Sequence, residues 1–225
     1  MFTSSVWRLA APSHLLRPRL HGLYVITDER LGGGHLAIAR AALAGGARII
    51  QLRDKSTATA RLLPLGRELR SITRATGALL IVNDRVDIAL AVQADGVHLG
   101  PDDMPLADAR HLLGPHRLLG ISCGNEAEAR AAERLGADYI GGGAVFATST
   151  KPDAGPPIGL AGLRAIIAAT TLPVAAIGAI NRDNIADTIA AGAAMACVVS
   201  AVAAAGSETA MTAATSSIIK AAQWQ

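Results

Sequence analysis

Short runs of apolar residues recur along the chain, each bounded by polar or turn-forming residues and separated by stretches with helical spacing. The runs lie at Leu23–Ile26, Ile49–Leu52, Leu79–Val82, Gly96–Leu99, Leu118–Ile121, Tyr139–Gly142, Val174–Ile177 and Ala196–Val199. Apolar runs of about four to eight residues between turn signals read as strands buried on both faces of a parallel sheet. Between them, Leu36, Ala39 and Leu43 fall on one helical face, and Gly45-Gly46 supplies the stop. Asn125 with Glu128 forms a capping-box pattern, with Asn in place of the usual Ser or Thr. Leu160, Leu163 and Ile167 make another stripe before Pro173, and the Ala-rich segment Ala203–Ala222, with Met211, Ile218 and Ile219, predicts the last helix. Strand and helix alternating eight times predict an α/β fold: a single-domain (β/α)8 TIM barrel whose active site lies at the C-terminal ends of the strands. A doubly wound open sheet is the runner-up, because counting strands does not show closure.

Composition narrows the function. The chain has 225 residues and 51% hydrophobic content, enough for one large core, but only 3% aromatics. Base stacking on aromatic rings is therefore a poor reading, and a formal charge of +3 with no long Lys/Arg block argues against a nucleic-acid partner. The basic residues suit a small anionic ligand better. Cys123 and Cys197 lack CxxC spacing, which argues against structural zinc and a secreted disulfide scaffold and favours a reducing cytoplasm. No apolar stretch is long enough to span a membrane. Residues 1–20 carry Arg8, Arg17 and Arg19, and no acid precedes Asp28. They read as a basic N-terminal tail or an extra helix closing the barrel bottom, ahead of a catalytic barrel at 21–225; a transit peptide is the weaker alternative. The sequence leaves room for a homodimer without requiring one.

Chemistry gathers at the predicted strand ends. The third run leads into Asn83-Asp84 and the fourth into Asp102-Asp103, so two acids stand at one edge of the sheet, as in a magnesium site for a phosphorylated substrate. After the second run, alternation points Gln51, Arg53 and Lys55 the same way. If that way is inward, an amide and two cations converge near the mouth, where Arg grips phosphate bidentately and Lys acts as a point charge. Ser122 follows the fifth run, and no neighbour in sequence supplies a base, so it is not read as a nucleophile. His98, between Val97 and Leu99, reads first as a core histidine. The loop Ala147–Gly159 carries Thr148, Ser149, Thr150 and Lys151 and is long for a barrel connection, which favours a phosphate-holding or closing role. The ends of runs seven and eight, at Gly178 and Val199-Ser200, fit the usual phosphate cradle of such barrels.

Taken in order, the segments LYVITDERL, GGARIIQLRDKS, NDRVDIALAVQADGVHLGPDDMPLADAR, ATSTKPDAGPPIGL and VVSA resemble the thiamine-phosphate synthases. The resemblance implies a magnesium-dependent transferase of thiamine biosynthesis, joining an aminopyrimidine diphosphate to a thiazole phosphate by a dissociative route. It implies that Asp84 and Asp103 hold Mg2+, Asp103 being the acid immediately before Met104. Gln51, Arg53, Lys55 and Asn83 would bind the pyrimidine diphosphate, with Ser122 and Lys151 on its phosphates; of these Arg53, Lys55, Ser122 and Lys151 would carry the catalysis. Thr148 and Thr150 would meet the thiazole phosphate, and Gly178, Val199 and Ser200 would line the cradle. Two departures stand out: Ala179 replaces the family's second Gly after strand seven, and Gly124 replaces a His two residues after the strand-five Ser. The latter argues against an aminothiazole tautomerase, which with a non-catalytic thiazole-phosphate binder is the competing reading. A sugar-phosphate epimerase would need two opposed proton carriers, and no convincing pair is legible.

Overall fold

The computed structural model describes residues 13–148 and 155–224. Eight parallel strands close into a barrel in sequence order: β1 Gly22–Ile26, β2 Ile49–Leu52, β3 Leu79–Asn83, β4 Gly96–Leu99, β5 Leu118–Cys123, β6 Tyr139–Gly142, β7 Val174–Ala176 and β8 Met195–Val198. β8 pairs with β1, with Leu23 opposite Ala196, so the open-sheet alternative is excluded. The helices between and around the strands are α1 Ser13–Leu16, α2 His35–Ala44, α3 Thr59–Thr76, α4 Val86–Ala91, α5 Leu106–Leu113, α6 Glu126–Arg134, α7 Gly159–Ala168, α8 Ile185–Ala190, α9 Ser200–Ala203 and α10 Glu208–Ala222.

Strand alternation splits the apolar residues into two cores. Leu23, Val25, Ile50, Leu52, Leu80, Val82, Val97 and Leu99 point outward to the helices, while Tyr24, Ile26, Ile49, Leu79, Ile81, Leu118, Tyr139 and Met195 fill the barrel. The same alternation carries the polar strand-end residues inward: Gln51 is two residues beyond Ile49, and Asn83 two beyond Ile81. Gly120 makes this interior possible. A Cβ there would sit 2.1 Å from the Tyr139 ring, so only glycine lets the ring lie across β5.

The bottom of the barrel is stoppered. Leu20 is 2% exposed and, with Leu16, packs on the interior cluster. Asp138, at the entry to β6, accepts from Ser13 Oγ (3.0 Å), Arg17 Nε (2.8 Å), Arg110 Nη2 (2.6 Å) and the Leu119 N–H (3.0 Å). Residues 13–20 are thereby joined to the barrel; residues 1–12 lie outside the described chain. Asp95 plays a parallel part before β4, taking both Arg70 nitrogens at 2.6 and 2.9 Å and the Leu80 N–H at 2.8 Å.

Several element ends differ from the sequence reading. β5 runs one residue past Ser122, to Cys123. The expected last helix, Ala203–Ala222, is shortened to α10: Ala203 ends α9, Gly206 at φ 91° interrupts the helical run, and Ser207 starts α10 afresh by capping Ala210 N–H at 3.2 Å. The Asn125 cap accepts from Glu128 N–H at 3.0 Å, while the Glu128 carboxylate reaches back to the Gly124 N–H at 2.7 Å. Thr212 and Ser216 of α10 donate to the Ala41 and Gly45 carbonyls, which closes the ring of helices. Among the described residues no helix is long and apolar enough to cross a membrane.

Candidate active site

The open end of the barrel holds a cavity with two joined lobes, of about 200 and 140 Å³. Gln51, Arg53, Lys55, Asn83, Asp84 and Asp103 line the larger lobe. Thr148, Gly178, Val199 and Ser200 line the smaller. Arg53 and Ser122 face both, together with Ile26, Ile177 and Cys197. Every sequence-predicted site residue within the described chain therefore borders this one cavity; Thr150 and Lys151 lie outside the described residues.

The acids behave as a pair. Burial and the hydrogen-bonded, like-charged Asp103 carboxyl push the Asp84 pKa up from 3.8 to about 6, against the opposing pull of Lys55. Lys55 Nζ stands 3.5 Å from Asp84 Oδ2. The loops pin both acids: Asp84 N–H donates to the His98 carbonyl at 2.8 Å, and Asp103 Oδ2 accepts from the Gly100 N–H at 2.6 Å. Asp84 also has φ 61°, a left-handed conformation that Asp adopts more readily than most residues. Two carboxylates forced together with hard oxygen donors are suited to a divalent cation. Among the described residues no cluster of three or more acids, His or Cys could cage a metal. The pair could hold a divalent ion of the kind that keeps waters and takes further oxygens from a substrate's phosphates.

The sequence did not reveal a hydrogen-bonded chain of side chains beneath this cavity. Gln51 Nε2 donates to Tyr24 Oη (2.7 Å), and Tyr24 meets Tyr139 Oη (3.1 Å). Tyr139 meets His98 Nδ1 (3.1 Å), and His98 Nε2 meets Ser122 Oγ (3.1 Å). Burial pushes both tyrosine hydroxyls well above their ordinary range, so they stay neutral. The chain corrects one sequence expectation: an imidazole does stand beside Ser122, from the neighbouring strand rather than from nearby sequence. The available signal was parity, since Tyr24 shares the inward face with Ile26 and a buried hydroxyl needs a partner. Cys123 points the other way; burial, with help from Glu128, pushes its thiol up to about 12 and makes it unreactive.

The smaller lobe is bounded by a strained turn. Gly178, at φ 115°, approaches Ala144 and Val145 so closely that a Cβ would lie 2.7 Å from them. Ala179 follows at φ 47°, so this replacement for a family glycine does occupy the left-handed region. Its carbonyl is gripped by Asn184 Nδ2 at 3.1 Å and Asn181 Nδ2 at 3.5 Å.

Comparison with known proteins agrees with this geometry. The family model described as thiamine monophosphate synthase matches residues 23–202. A thiamine-phosphate synthase of Moorella thermoacetica is 57% identical over 182 residues, 80% of this chain and 87% of the relative. One from Chloroflexus aurantiacus is 55% identical over 190 residues, 84% and 88% of the two chains. The solved thiamine phosphate pyrophosphorylase of Pyrococcus furiosus superposes with a TM-score of 0.83 at 43% identity, over 92% of this chain and 98% of its own. A closed barrel with paired acids and cations at its mouth, matched along four fifths of its length, assigns the chain to the thiamine-phosphate synthase family of transferases.

Proposed function

We propose that the protein transfers the hydroxymethylpyrimidine group from its diphosphate to the ring nitrogen of thiazole phosphate, giving thiamine phosphate and pyrophosphate with Mg2+ as cofactor. One observation carries the reading: two lobes of one cavity, one lined by acids and cations and the other by a backbone turn, meet at Arg53 and Ser122. Two anionic substrates bound in separate lobes would present their reacting atoms to each other at that junction.

The pyrimidine carbon–oxygen bond breaks, and the pyrophosphate leaves with the electron pair. The thiazole nitrogen then donates its lone pair to the carbocation-like carbon. Bound to Asp84 and Asp103, Mg2+ would neutralise charge on the leaving diphosphate. Arg53 and Lys55 add fixed positive charge where negative charge develops, the form of catalysis that needs no proton transfer. Gln51 is orientated by its bond to Tyr24, which leaves its carbonyl oxygen for an amino group on the ligand. Ser122, held by His98, supplies a hydroxyl at the junction. Ile26, Ile177 and Cys197 face both lobes and keep water from an electrophilic carbon. The thiazole phosphate is assigned to the turn at Gly178 and the residues Val199 and Ser200, with Thr148 beside it. Cys123 and Cys197 are both free thiols, which suits a reducing compartment such as the cytoplasm.

The test is to supply the purified protein with each half-molecule alone and then both, with Mg2+ or with a chelator. Thiamine phosphate and pyrophosphate should form in equal amounts only with both substrates and metal. No thiamine phosphate under any condition would sink the reading, and undiminished turnover in chelator would sink its metal component.

A further inference from the structure

A buried histidine outside the cavity connects two of the loops at its mouth. His35, the first residue of α2, is 1% exposed. Its Nδ1 lies 2.7 Å from Thr27 Oγ1, just past β1, and its Nε2 lies 3.2 Å from Asp54 Oδ2, just past β2. Glu29 Oε2 approaches the same Nε2 at 3.5 Å. Thr27 Oγ1 also donates to the Gln51 carbonyl at 3.0 Å, and that carbonyl can only accept. Both ring nitrogens therefore face oxygen lone pairs.

Asp54 sits between Arg53 and Lys55. Those two line the cavity, whereas Asp54 turns away from it towards His35. Its other oxygen accepts from the Ser56 and Thr57 N–H groups at 2.9 and 2.8 Å, which folds the loop into α3. Burial alone would raise the Asp54 carboxyl, but hydrogen bonds from Thr57, Ser56 and His35 outweigh it and hold the group well below the usual carboxylate range. The carboxylate is thus fixed on both sides, one residue along the backbone from Arg53 and from Lys55.

We propose that His35 is a positioning residue: by clasping Asp54 to Thr27 it holds the β2 loop so that Arg53 and Lys55 project into the diphosphate lobe. This rests on the reading of that lobe given above. A side-chain displacement of about 1 Å at a reacting site can lower the rate roughly a hundredfold, so such a clasp has kinetic consequences without touching substrate. It bears chiefly on the larger lobe, which Arg53 and Lys55 both line; of the two only Arg53 reaches the smaller lobe, whose turn at Gly178 and Ala179 is held by Asn181 and Asn184.

The decisive variants are His35→Leu, which fills similar space without hydrogen bonds, His35→Gln, whose amide can still donate to Asp54, and Asp54→Asn. His35→Leu should raise KM for the pyrimidine diphosphate and lower kcat, by roughly tenfold or more each. KM for thiazole phosphate should rise much less, since only Arg53 of the pair reaches the smaller lobe. His35→Gln should recover most of the loss, Asp54→Asn should shift the same constants, and combining His35→Leu with Asp54→Asn should add little. Should His35→Leu fail to fold, Asp54→Asn and Thr27→Val carry the same comparison. Wild-type kinetics in these variants, or equal rises in both KM values with a lowered melting temperature, would overturn the proposal. Calorimetric titration with inorganic pyrophosphate and Mg2+ reads the lobe without turnover. Weaker binding by the variants supports the clasp even if the wild type makes no thiamine phosphate, and undiminished binding removes it.

Discussion

Replacing Asp84 with Asn should stabilise the metal-free protein while disabling it. In the wild type, burial and the facing Asp103 raise the Asp84 pKa from 3.8 to about 6. The fold thus holds that proton more tightly than the unfolded chain does. The stability tied to the proton is fully present below the unfolded value and is lost as pH rises through about 6. At about 1.4 kcal/mol per pH unit the full span sets an upper figure of about 3 kcal/mol. The Asp84 side chain is 21% exposed, and its pair with the more exposed Lys55 is weak, so solvent screening reduces the expected gain to about 1–2 kcal/mol. Asn tolerates φ 61° as well as Asp does, so no backbone cost offsets the gain. The assay is urea unfolding in chelator at about pH 4 and about pH 7.5, where the difference should be near zero and near its full size respectively. Adding Mg2+ with pyrophosphate should then stabilise the wild type alone. A variant no more stable at the higher pH, or equally advantaged at both, would refute the assignment of a strained acid pair.

Three further outcomes follow from other parts of the molecule. Arg53→Ala should lower kcat/KM for both substrates, by a charged contact of about 1.5–3 kcal/mol, because Arg53 faces both lobes; an effect on one substrate alone would contradict that. Ala179→Gly should raise stability by about 0.5–1 kcal/mol in urea unfolding, as relief of a left-handed alanine exceeds glycine's added chain entropy; a loss would show that φ 47° carries no strain. Asp138→Ala should cost about 3–5 kcal/mol in the same measurement, since it strands Arg17 and Arg110 at the barrel bottom. A cost near zero would mean that solvent takes over both partners.

The barrel was legible because its strands are apolar on both faces and the glycines and acids that end them are local signals. Parity then carried further, since alternation along the chain put Gln51, Arg53 and Lys55 on one side, and the buried Gln51 shows that side to be the inward one. What escaped the reading depends on distance across the barrel. Tyr24 and Tyr139 stand 115 residues apart, and His98 meets Ser122 only because β4 and β5 are neighbours. His35 stands one residue before the stripe of Leu36, Ala39 and Leu43, with nothing local to show Asp54 beside it. The single α10 was overextended because alanine continues a helix indifferently, and the Gly206 break competes weakly with so long a run. The strain at Ala179 needed a dihedral angle, which a residue type alone does not supply.

Leu16 and Leu20 pack on the interior cluster at the barrel bottom, so among the described residues the cavity opens at the opposite end. Any two reactants that meet in its lobes must arrive through the same mouth by which both products depart. A shared mouth couples their traffic, because the lobes meet at Arg53 and Ser122. A product that lingers over the acid pair then blocks the next arrival, so the exit of an anion, rather than the making of a bond, is where such a vessel is open to congestion.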